Sequence, residues 1–478
     1  MLVMEEFPLQ LSSGATLVRT NSHLDVRPPT GKPNTKPKHP AWKVPLKRVL
    51  WAGLSGDSLE VAVVVEKKGV VKIDGKVREG GEADASKWAE ELMTAAYAEP
   101  GAKPQRRFLV VVNPHGGPGK AGSIYKKKVE PILAAARCTY KAIFTEYYQH
   151  AVKIGEELAV DEYDCIISVS GDGIVHELYN GMAKHKTPRK AFRVPIAPIP
   201  AGSGNGLSLN LLGLKEGTNI VAATLNAIKG RPMAVDVCSI VQDGKRTFSY
   251  MSQCLGLMAD LDLGTEHLRM LGSNRFVYGY VRGIVTHKTY PYSISIKAME
   301  TEKQKMSAAL QENLDKPIET RFLDPYEALP DELPALQYAD DDASDWVKLD
   351  DSFSFLYGGK CSYVSRDLMQ FPAGMPNDGA VDLTVQCAVP RGDMITAMDG
   401  AENGTGFWRK SNLYYKAYAY RCKPLKKHGY LSIDGEKYPF GEFHVECHQG
   451  LGTMMSCYGH YVTEDNAALK PPPAKVPR

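Results

Sequence analysis

The chain has 478 residues, a net charge of +3, 43% hydrophobic and 24% charged residues. That length exceeds one ordinary core and predicts two or three domains. The composition is that of soluble globular protein, and the small charge, without zinc-finger, RRM or homeodomain signatures, argues against nucleic acid as a partner. Nine scattered cysteines, odd in number and without a CxxC pair, point to free thiols in a reducing compartment rather than a disulfide scaffold or zinc site. The start, MLVMEEFPLQL, carries acids where a secretory leader carries bases. No run reaches the roughly 18 apolar residues of a membrane span. A cytoplasmic protein that meets membranes only peripherally is expected. Basic clusters at Lys126–Lys128, Lys423–Lys427 and Lys470–Arg478 are solvated faces or contacts with an anionic lipid surface.

In chain order, residues 25–45 are rich in Pro and Lys and predict an extended loop. VLWAGLSG, SLEVAVVVEKKG and VVKIDGK predict short strands, and DASKWAEELMTAAYA a helix with Trp88, Leu92 and Ala96 on one side. Residues 1–98 are thus a β-rich module, or a β extension of the next domain. AEPGAKPQRR is a linker. Over 104–235, strands at Phe108–Asn113, Tyr140–Thr145, Asp164–Ser170 and Pro195–Pro200 alternate with helices at Ile124–Ala136, His150–Ala159 and Ile174–Lys184. That alternation predicts a parallel sheet with helices on both faces, and glycine clusters follow three of its strands, where ligands bind. Over 236–460, VDVCSIV, RTFSYMSQCLGL, YSISIKA, FSFLYGG, VDLTVQC, YLSIDGEKY and TMMSCYG predict an antiparallel β-sandwich, interrupted by a helix at His267–Thr286. Residues 300–350 turn acidic and Pro-containing, as a mobile surface insertion would, and 461–478 form a tail. The fold class is α/β plus all-β.

The glycine clusters carry the chemistry. NPHGGPGKAG fails as a Walker A loop, because no Ser or Thr follows Lys120. Gly117 to Gly122 does read GxGxxG between a strand and a helix, with Glu146 after the second strand, so a nicotinamide-dependent oxidoreductase is a rival reading. SGDG and PAGSGNG on later strands argue against it: three converging loops suit a triphosphate beside a reacting centre. In SGDG the acid Asp172 stands between Gly171 and Gly173. An acid there repels phosphate, whereas a base that takes a proton from a hydroxyl beside a phosphate needs it. A plain tight turn is the other reading.

NPHGGPGKA, TEYYQHA, SGDGIVHELYNG, PAGSGNG, ADLDLGTEHLRMLGSNRF and IDGE occur in that order. Together they resemble the sphingosine (sphingoid long-chain-base) kinases, fungal type, of the diacylglycerol kinase catalytic superfamily, over roughly residues 105–460. The N-terminal module is similar to a pleckstrin-homology-type domain, whose closing helix often carries a Trp. The resemblance implies a nucleotide domain, a lipid-holding β domain and a cleft between them, with ATP and Mg2+ as cofactors. The implied substrate is a sphingoid base, phosphorylated on its primary hydroxyl. A peripheral membrane surface is an implied partner, and a homodimer is compatible with it.

Matched by residue, Asp172 is the implied catalytic base. Asn113, Pro114, His115, Thr145, Glu177, Gly202, Ser203 and Gly204 are implied nucleotide contacts, as are Arg269 and Arg275 for phosphate and Asp434, Gly435 and Glu436 near nucleotide and metal. No direct metal ligand is assigned. Ser170, Gly171 and Gly173 border the reacting groups, Asp262 reads the lipid head, and Ser252 supports it. A carboxylate can bind the ammonium and hydroxyls of a sphingoid base, which disfavours ceramide or diacylglycerol as substrate. A silent lipid-binding protein is disfavoured because every expected acid is present. Asp434-Gly435 is equally readable as a hairpin turn, Asp262 as a loop acid, and Arg269 and Arg275 as surface charges aimed inward only if the helix bends near Gly272. His176 is expected to pack or orient rather than act as base. Two departures stand out: His115 replaces an Arg common in animal members and binds phosphate only when protonated, and Tyr147 and Tyr148 replace basic residues.

Overall fold

Alternating apolar and polar residues build the N-terminal segment as two antiparallel sheets. The computed structural model describes residues 6–28, 42–65, 68–99, 101–271, 274–322, 332–341 and 344–471. Strands β1 (Phe7–Gln10), β2 (Thr16–Arg19), β3 (His23–Arg27) and β4 (Trp42–Pro45) form one sheet. Strands β5 (Val49–Ser55), β6 (Ser58–Val65) and β7 (Gly69–Lys76) form the other. The stretch expected as loop over 25–45 therefore holds the end of β3 and all of β4, and residues 29–41 lie outside the described part. Helix α1 (Glu82–Ala96) buries Trp88, Leu92 and Ala96 as its spacing predicts, and the Trp88 indole donates to the Phe7 carbonyl at 2.9 Å. The module is fastened to the rest of the chain: the buried Lys229 ammonium donates to the carbonyls of Ala96 (2.9 Å) and Leu46 (3.3 Å) and lies 4.2 Å from the Tyr97 ring.

The next segment alternates as expected. Strands β8 (Arg107–Val112), β9 (Thr139–Phe144), β10 (Cys165–Ser170) and β11 (Ile196–Pro200) pair in parallel in the order β11-β10-β8-β9. RFLVVV and CIISVS are buried along almost their whole length, as continuous apolar runs in parallel sheets are. The first predicted helix is α2 (Ala121–Ile124), a π turn over Tyr125–Val129, and α3 (Glu130–Ala135). Helices α4 (His150–Glu156) and α5 (Asp172–Met182) follow. A short α6 (Pro188–Arg193), unforeseen, opens on a proline, which suits a first helical turn. Helices α7 (Gly206–Glu216) and α8 (Ile220–Lys229) complete the segment.

The C-terminal half starts with β12 (Arg231–Gln242), β13 (Lys245–Ser249), β14 (Ser252–Gly256) and α9 (Leu257–Asp262). The single helix expected over His267–Thr286 is instead a 3-10 segment, Glu266–Leu271, and α10 (Asn274–Thr286). Gly272 lies outside the described residues. Strand β15 (Tyr290–Glu300) precedes α11 (Lys303–Asp315), which buries Met306 and Leu310 against Phe407 and Tyr414. The expected loop over 300–350 is thus partly a packed helix: KMSAAL supplies two apolar positions at i and i+4. Residues 323–331 and 342–343 are outside the described part.

Then come β16 (Val347–Gly359), β17 (Tyr363–Ser365), β18 (Leu368–Met369), β19 (Val381–Cys387), α12 (Arg391–Thr396), β20 (Asn412–Pro424), β21 (Leu431–Ile433), β22 (Glu436–Tyr438) and β23 (Phe443–Ser456). The pairing departs from a sandwich of two separate sheets. Strands β15 and β19 each pair with both β16 and β20, so the four close on themselves. Register shifts near Phe353 and Ala298 accompany the change of partner, as bulges do where strands turn. Ile294, Leu356, Leu383, Tyr420 and Val445 belong to the core of this region. Strand β23 pairs with β20 and β12, and it meets β11 in parallel at Ile196–Met454. Parallel and antiparallel strands therefore belong to one continuous sheet.

Candidate active site

Register puts the ends of β8, β10 and β11 side by side, and their glycine loops meet there. A side chain at Gly202 would strike the Gly171 backbone, and a Cβ at Gly171 would lie 3.2 Å from the Gly202 Cα. Gly117, at φ +55°, approaches the same Gly202 so closely that a Cβ would fall 2.8 Å from it. Only glycine fits such packing, so the loops GGPG, SGDG and PAGSG interlock. Asn205 holds the third loop: its Oδ1 accepts the Gly202 N–H (2.8 Å) and its Nδ2 donates to the Gly202 carbonyl (2.9 Å). Asn205 sits at φ 55°, a left-handed conformation that Asn tolerates.

Asp172 is the first residue of α5, and its carboxylate accepts the N–H groups of Gly206 (2.9 Å) and Leu207 (3.1 Å) at the start of α7. Its own carbonyl accepts the Tyr250 hydroxyl at 3.0 Å. Burial holds the Asp172 carboxyl above the usual carboxylate range. The Leu207 and Gly206 amides pull it down, and the nearby Asp434 charge pushes it further up. Glu177, five residues along α5, accepts the Ala151 N–H at 3.1 Å and so tethers the start of α4. Its carboxyl is also raised, chiefly by burial. Asn113 accepts the His115 N–H at 3.1 Å and orders the first loop.

A cavity of about 940 Å³ runs from these loops into the β half. Its wall includes Asn113, His115, Thr145, Ser170, Gly171, Asp172, Gly173, Glu177, Gly202, Ser203 and Gly204 at one end. Ser252, Asp262, Arg275, Asp434, Gly435 and Glu436 share the same wall. Beyond them it becomes apolar, with Met258, Leu261, Phe276, Tyr280, Phe355, Tyr357 and Met394. Pro114 is off this wall, and the Arg269 side chain lies outside the described part.

Asp434 and Arg275 also hold neighbouring protein groups. Asp434 is buried at the β21–β22 turn, at φ 51°. Its Oδ1 accepts Ser249 Oγ (2.7 Å) and the N–H groups of Met251 (3.0 Å) and Ser252 (2.8 Å). Its Oδ2 accepts the Tyr250 N–H (3.2 Å) and lies 2.8 Å from His176 Nδ1. Both oxygens are thus engaged with protein, and the carboxylate organises the 249–252 turn at the cavity wall. Glu436, two residues on, is the acid of IDGE nearest the SGDG loop: a Cβ on Gly173 would lie 2.9 Å from its Oε1. Arg275, expected on phosphate, lines the same cavity and pairs there with Asp262, donating to its carbonyl (2.9 Å) with Nη2 3.5 Å from its carboxylate. Of the two acids in ADLDLG, Asp260 accepts the Tyr290 hydroxyl (2.6 Å), while Asp262 lines the cavity with Oδ2 bound by Ser432 Oγ (2.6 Å). Tyr250, Asn205 and Ser432 escaped the sequence reading. Asn205 lay inside PAGSGNG as an Asn-Gly turn signal; the other two carried none.

A family model, "Diacylglycerol kinase catalytic domain", matches residues 107–240, the segment bearing all three glycine loops. Beyond it, the chain is 30% identical over 419 residues to "Sphingoid long chain base kinase 4" of Schizosaccharomyces pombe, covering 86% of this chain and 88% of that protein. The chain belongs to the sphingoid long-chain-base kinases. It is therefore a lipid kinase, of a class that draws its phosphoryl group from ATP. It is also 29% identical over 434 residues to "Sphingoid long chain base kinase 5" of Saccharomyces cerevisiae, spanning 79% of this chain and 62% of that one. The fold is shared with a solved structure described as "a putative diacylglycerol kinase from Bacillus anthracis str. Sterne", at TM-score 0.50 and 21% identity over 75% of this chain and 97% of that one.

Proposed function

We propose that this kinase transfers the γ-phosphoryl group of ATP to the primary hydroxyl of sphingoid long-chain bases such as sphingosine, dihydrosphingosine and phytosphingosine. One observation carries the reading: Asp172, in the glycine cradle, and Asp262, at the start of the apolar arm, share one cavity. The three loops would hold the triphosphate by backbone N–H groups. Asp262 would bind the ammonium and adjacent hydroxyl of the lipid, leaving its chain among Met258, Phe276 and Phe355. Asp172 would accept the hydroxyl proton as oxygen attacks phosphorus, and its raised carboxyl suits that role.

Among the described residues no three ligating side chains cluster. Glu436, which faces Gly173 of the SGDG loop, would help to hold Mg2+, and the ion would neutralise phosphate charge there.

No described helix is long and apolar enough to cross a membrane. Helix α10, however, is apolar on two faces: Phe276, Tyr280 and Ile284 pack with the lipid arm, while Val277, Tyr278, Val281 and Val285 are largely exposed. An exposed apolar strip of this kind, with Arg282 beside it, suits contact with a membrane surface, and this face would rest on a bilayer beside the cavity. Exchanging Val281 and Val285 for Glu should abolish sedimentation with anionic vesicles; undiminished sedimentation would remove α10 from that role. For the N-terminal module, sheets of four and three strands and a closing helix with a buried Trp88 support the pleckstrin-homology reading.

The activity is tested by incubating the full chain with labelled ATP, Mg2+ and, separately, sphingosine, phytosphingosine, ceramide and diacylglycerol. Label is expected in the sphingoid-base lanes. Label in the diacylglycerol lane alone would overturn the reading.

A further inference from the structure

Asp262 is already occupied by a cation of the protein. Arg275 donates Nη1 to its main-chain carbonyl at 2.9 Å, and Nη2 stands 3.5 Å from Oδ1. Ser432 Oγ takes the other carboxylate oxygen at 2.6 Å. The Arg275 side chain is about 10% exposed and its guanidinium lies 4.3 Å over the Phe276 ring, while the Asp262 side chain, about 25% exposed, opens on the cavity. The guanidinium is therefore poorly solvated at this pair while the carboxylate stays within reach of an incoming cation, so breaking the pair without a replacement charge is costly. A lipid carrying an ammonium can take over the Asp262 carboxylate without leaving it uncompensated. A neutral lipid alcohol cannot: it would have to leave the ion pair intact in its way, or break it and offer no charge in return.

We propose that Arg275 is a displaceable counter-ion of the lipid-head site, and that the substrate's ammonium expels it from Asp262 toward the phosphate end of the same cavity. This rests on the sphingoid-base reading above and adds a selection step to it. The lipid is chosen by ion exchange as well as by hydrogen bonding. The expelled guanidinium stays in a cavity whose other arm takes a triphosphate, where an added positive charge favours polyanion binding. Lipid and nucleotide are thereby coupled, and the coupling is reciprocal. Arg275 acts here as a specificity-determining residue through its choice of partner.

The test is equilibrium binding of a non-hydrolysable ATP analogue to the full chain, alone, with dihydrosphingosine, and with N-acetyl-dihydrosphingosine, which keeps the hydroxyls but lacks the cation. Dihydrosphingosine should tighten the analogue by about fivefold or more, the lower end of ordinary coupling between sites, while the N-acetyl lipid leaves it unchanged. Arg275→Gln should bind dihydrosphingosine more tightly than the native chain and lose the coupling; Arg275→Lys should retain part of it. Equal coupling by both lipids, or full coupling in Arg275→Gln, would overturn the inference. Should Arg275→Gln not fold, the two-lipid comparison on the native chain and on Arg275→Lys decides. If the native chain phosphorylates dihydrosphingosine but shows no coupling, this inference fails alone. If it phosphorylates only neutral lipids, the sphingoid-base reading fails with it.

Discussion

Replacing Asp434 by Asn separates a structural acid from a nucleotide ligand. The asparagine keeps an oxygen for Ser249 Oγ and the Met251 and Ser252 amides, but sets an NH2 against the Tyr250 N–H, now 3.2 Å from Oδ2. His176 can accommodate the change by presenting Nδ1 as an acceptor and donating from Nε2 to the Tyr438 hydroxyl, 3.0 Å away. One buried N–H is left unpaired and three bonds lose their charge assistance, so the cost is about 2–5 kcal/mol. Asp434→Ala strips every partner and should reach the exceptional range of roughly 4–5 kcal/mol or more. Urea unfolding of Asp434→Asn followed by tryptophan fluorescence should show a midpoint lowered by about 0.5 M or more. The KM for ATP in the folded fraction should change little. An unchanged midpoint together with a many-fold higher ATP KM would make Asp434 a nucleotide ligand and refute the reasoning.

Asp172→Asn should leave the chain folded and lower kcat by about 10²–10⁴-fold, as loss of a positioned base does; near-native turnover would remove Asp172 from the chemistry. Because burial raises its carboxyl and a base must be ionised, native kcat/KM should fall with acid at a pH above the ordinary carboxylate range of about 4. An acid limb at or below that value would contradict it. Gly202→Ala drives a methyl into the Gly171 backbone and should cost about a hundredfold in kcat/KM through misplacement of the loops; native kinetics would show that the loops yield. Burial lowers the Lys229 ammonium to about 7. Its folded value lies below the unfolded one, so the unfolded chain binds more protons between pH 7 and about 10.4, and native stability rises with pH through that window. Lys229→Met should remove this contribution, so Tm curves of native and variant chains that stay parallel from pH 7 to 9 would refute it.

Much of the nucleotide half was legible because its signals are local. RFLVVV and CIISVS are unbroken apolar runs, and glycines mark the strand ends where the backbone must turn. The β half was less legible where its strands are long. NLYYKAYAYRCKP alternates well enough to form β20, yet Lys, Arg and Tyr mask its apolar face. Closure of β15, β16, β19 and β20 depends on bulges that composition does not reveal. Asp172, Asp262 and Asp434 stood out in the sequence as acids within motifs, and all three line the cavity. The five partners of Asp434 were not legible because they come from residues 176 and 249–252, distant in sequence. The same distance hid Tyr250 and Ser432, whose hydroxyls look ordinary until the fold sets them against the Asp172 carbonyl and the Asp262 carboxylate.

Strand β23, far along the chain from β11 and β12, completes hydrogen bonding for β12 and β20 and touches β11. During synthesis the half that carries the glycine loops therefore emerges with an open sheet margin that stays unsatisfied until β23 leaves the ribosome. An unprotected margin of that kind templates association with other chains, and contacts so remote in sequence form late. A fragment ending near residue 235 should accordingly be insoluble even though every glycine loop is present. A stop that removes β23 (Phe443–Ser456) should be as damaging as one in the glycine-loop motifs.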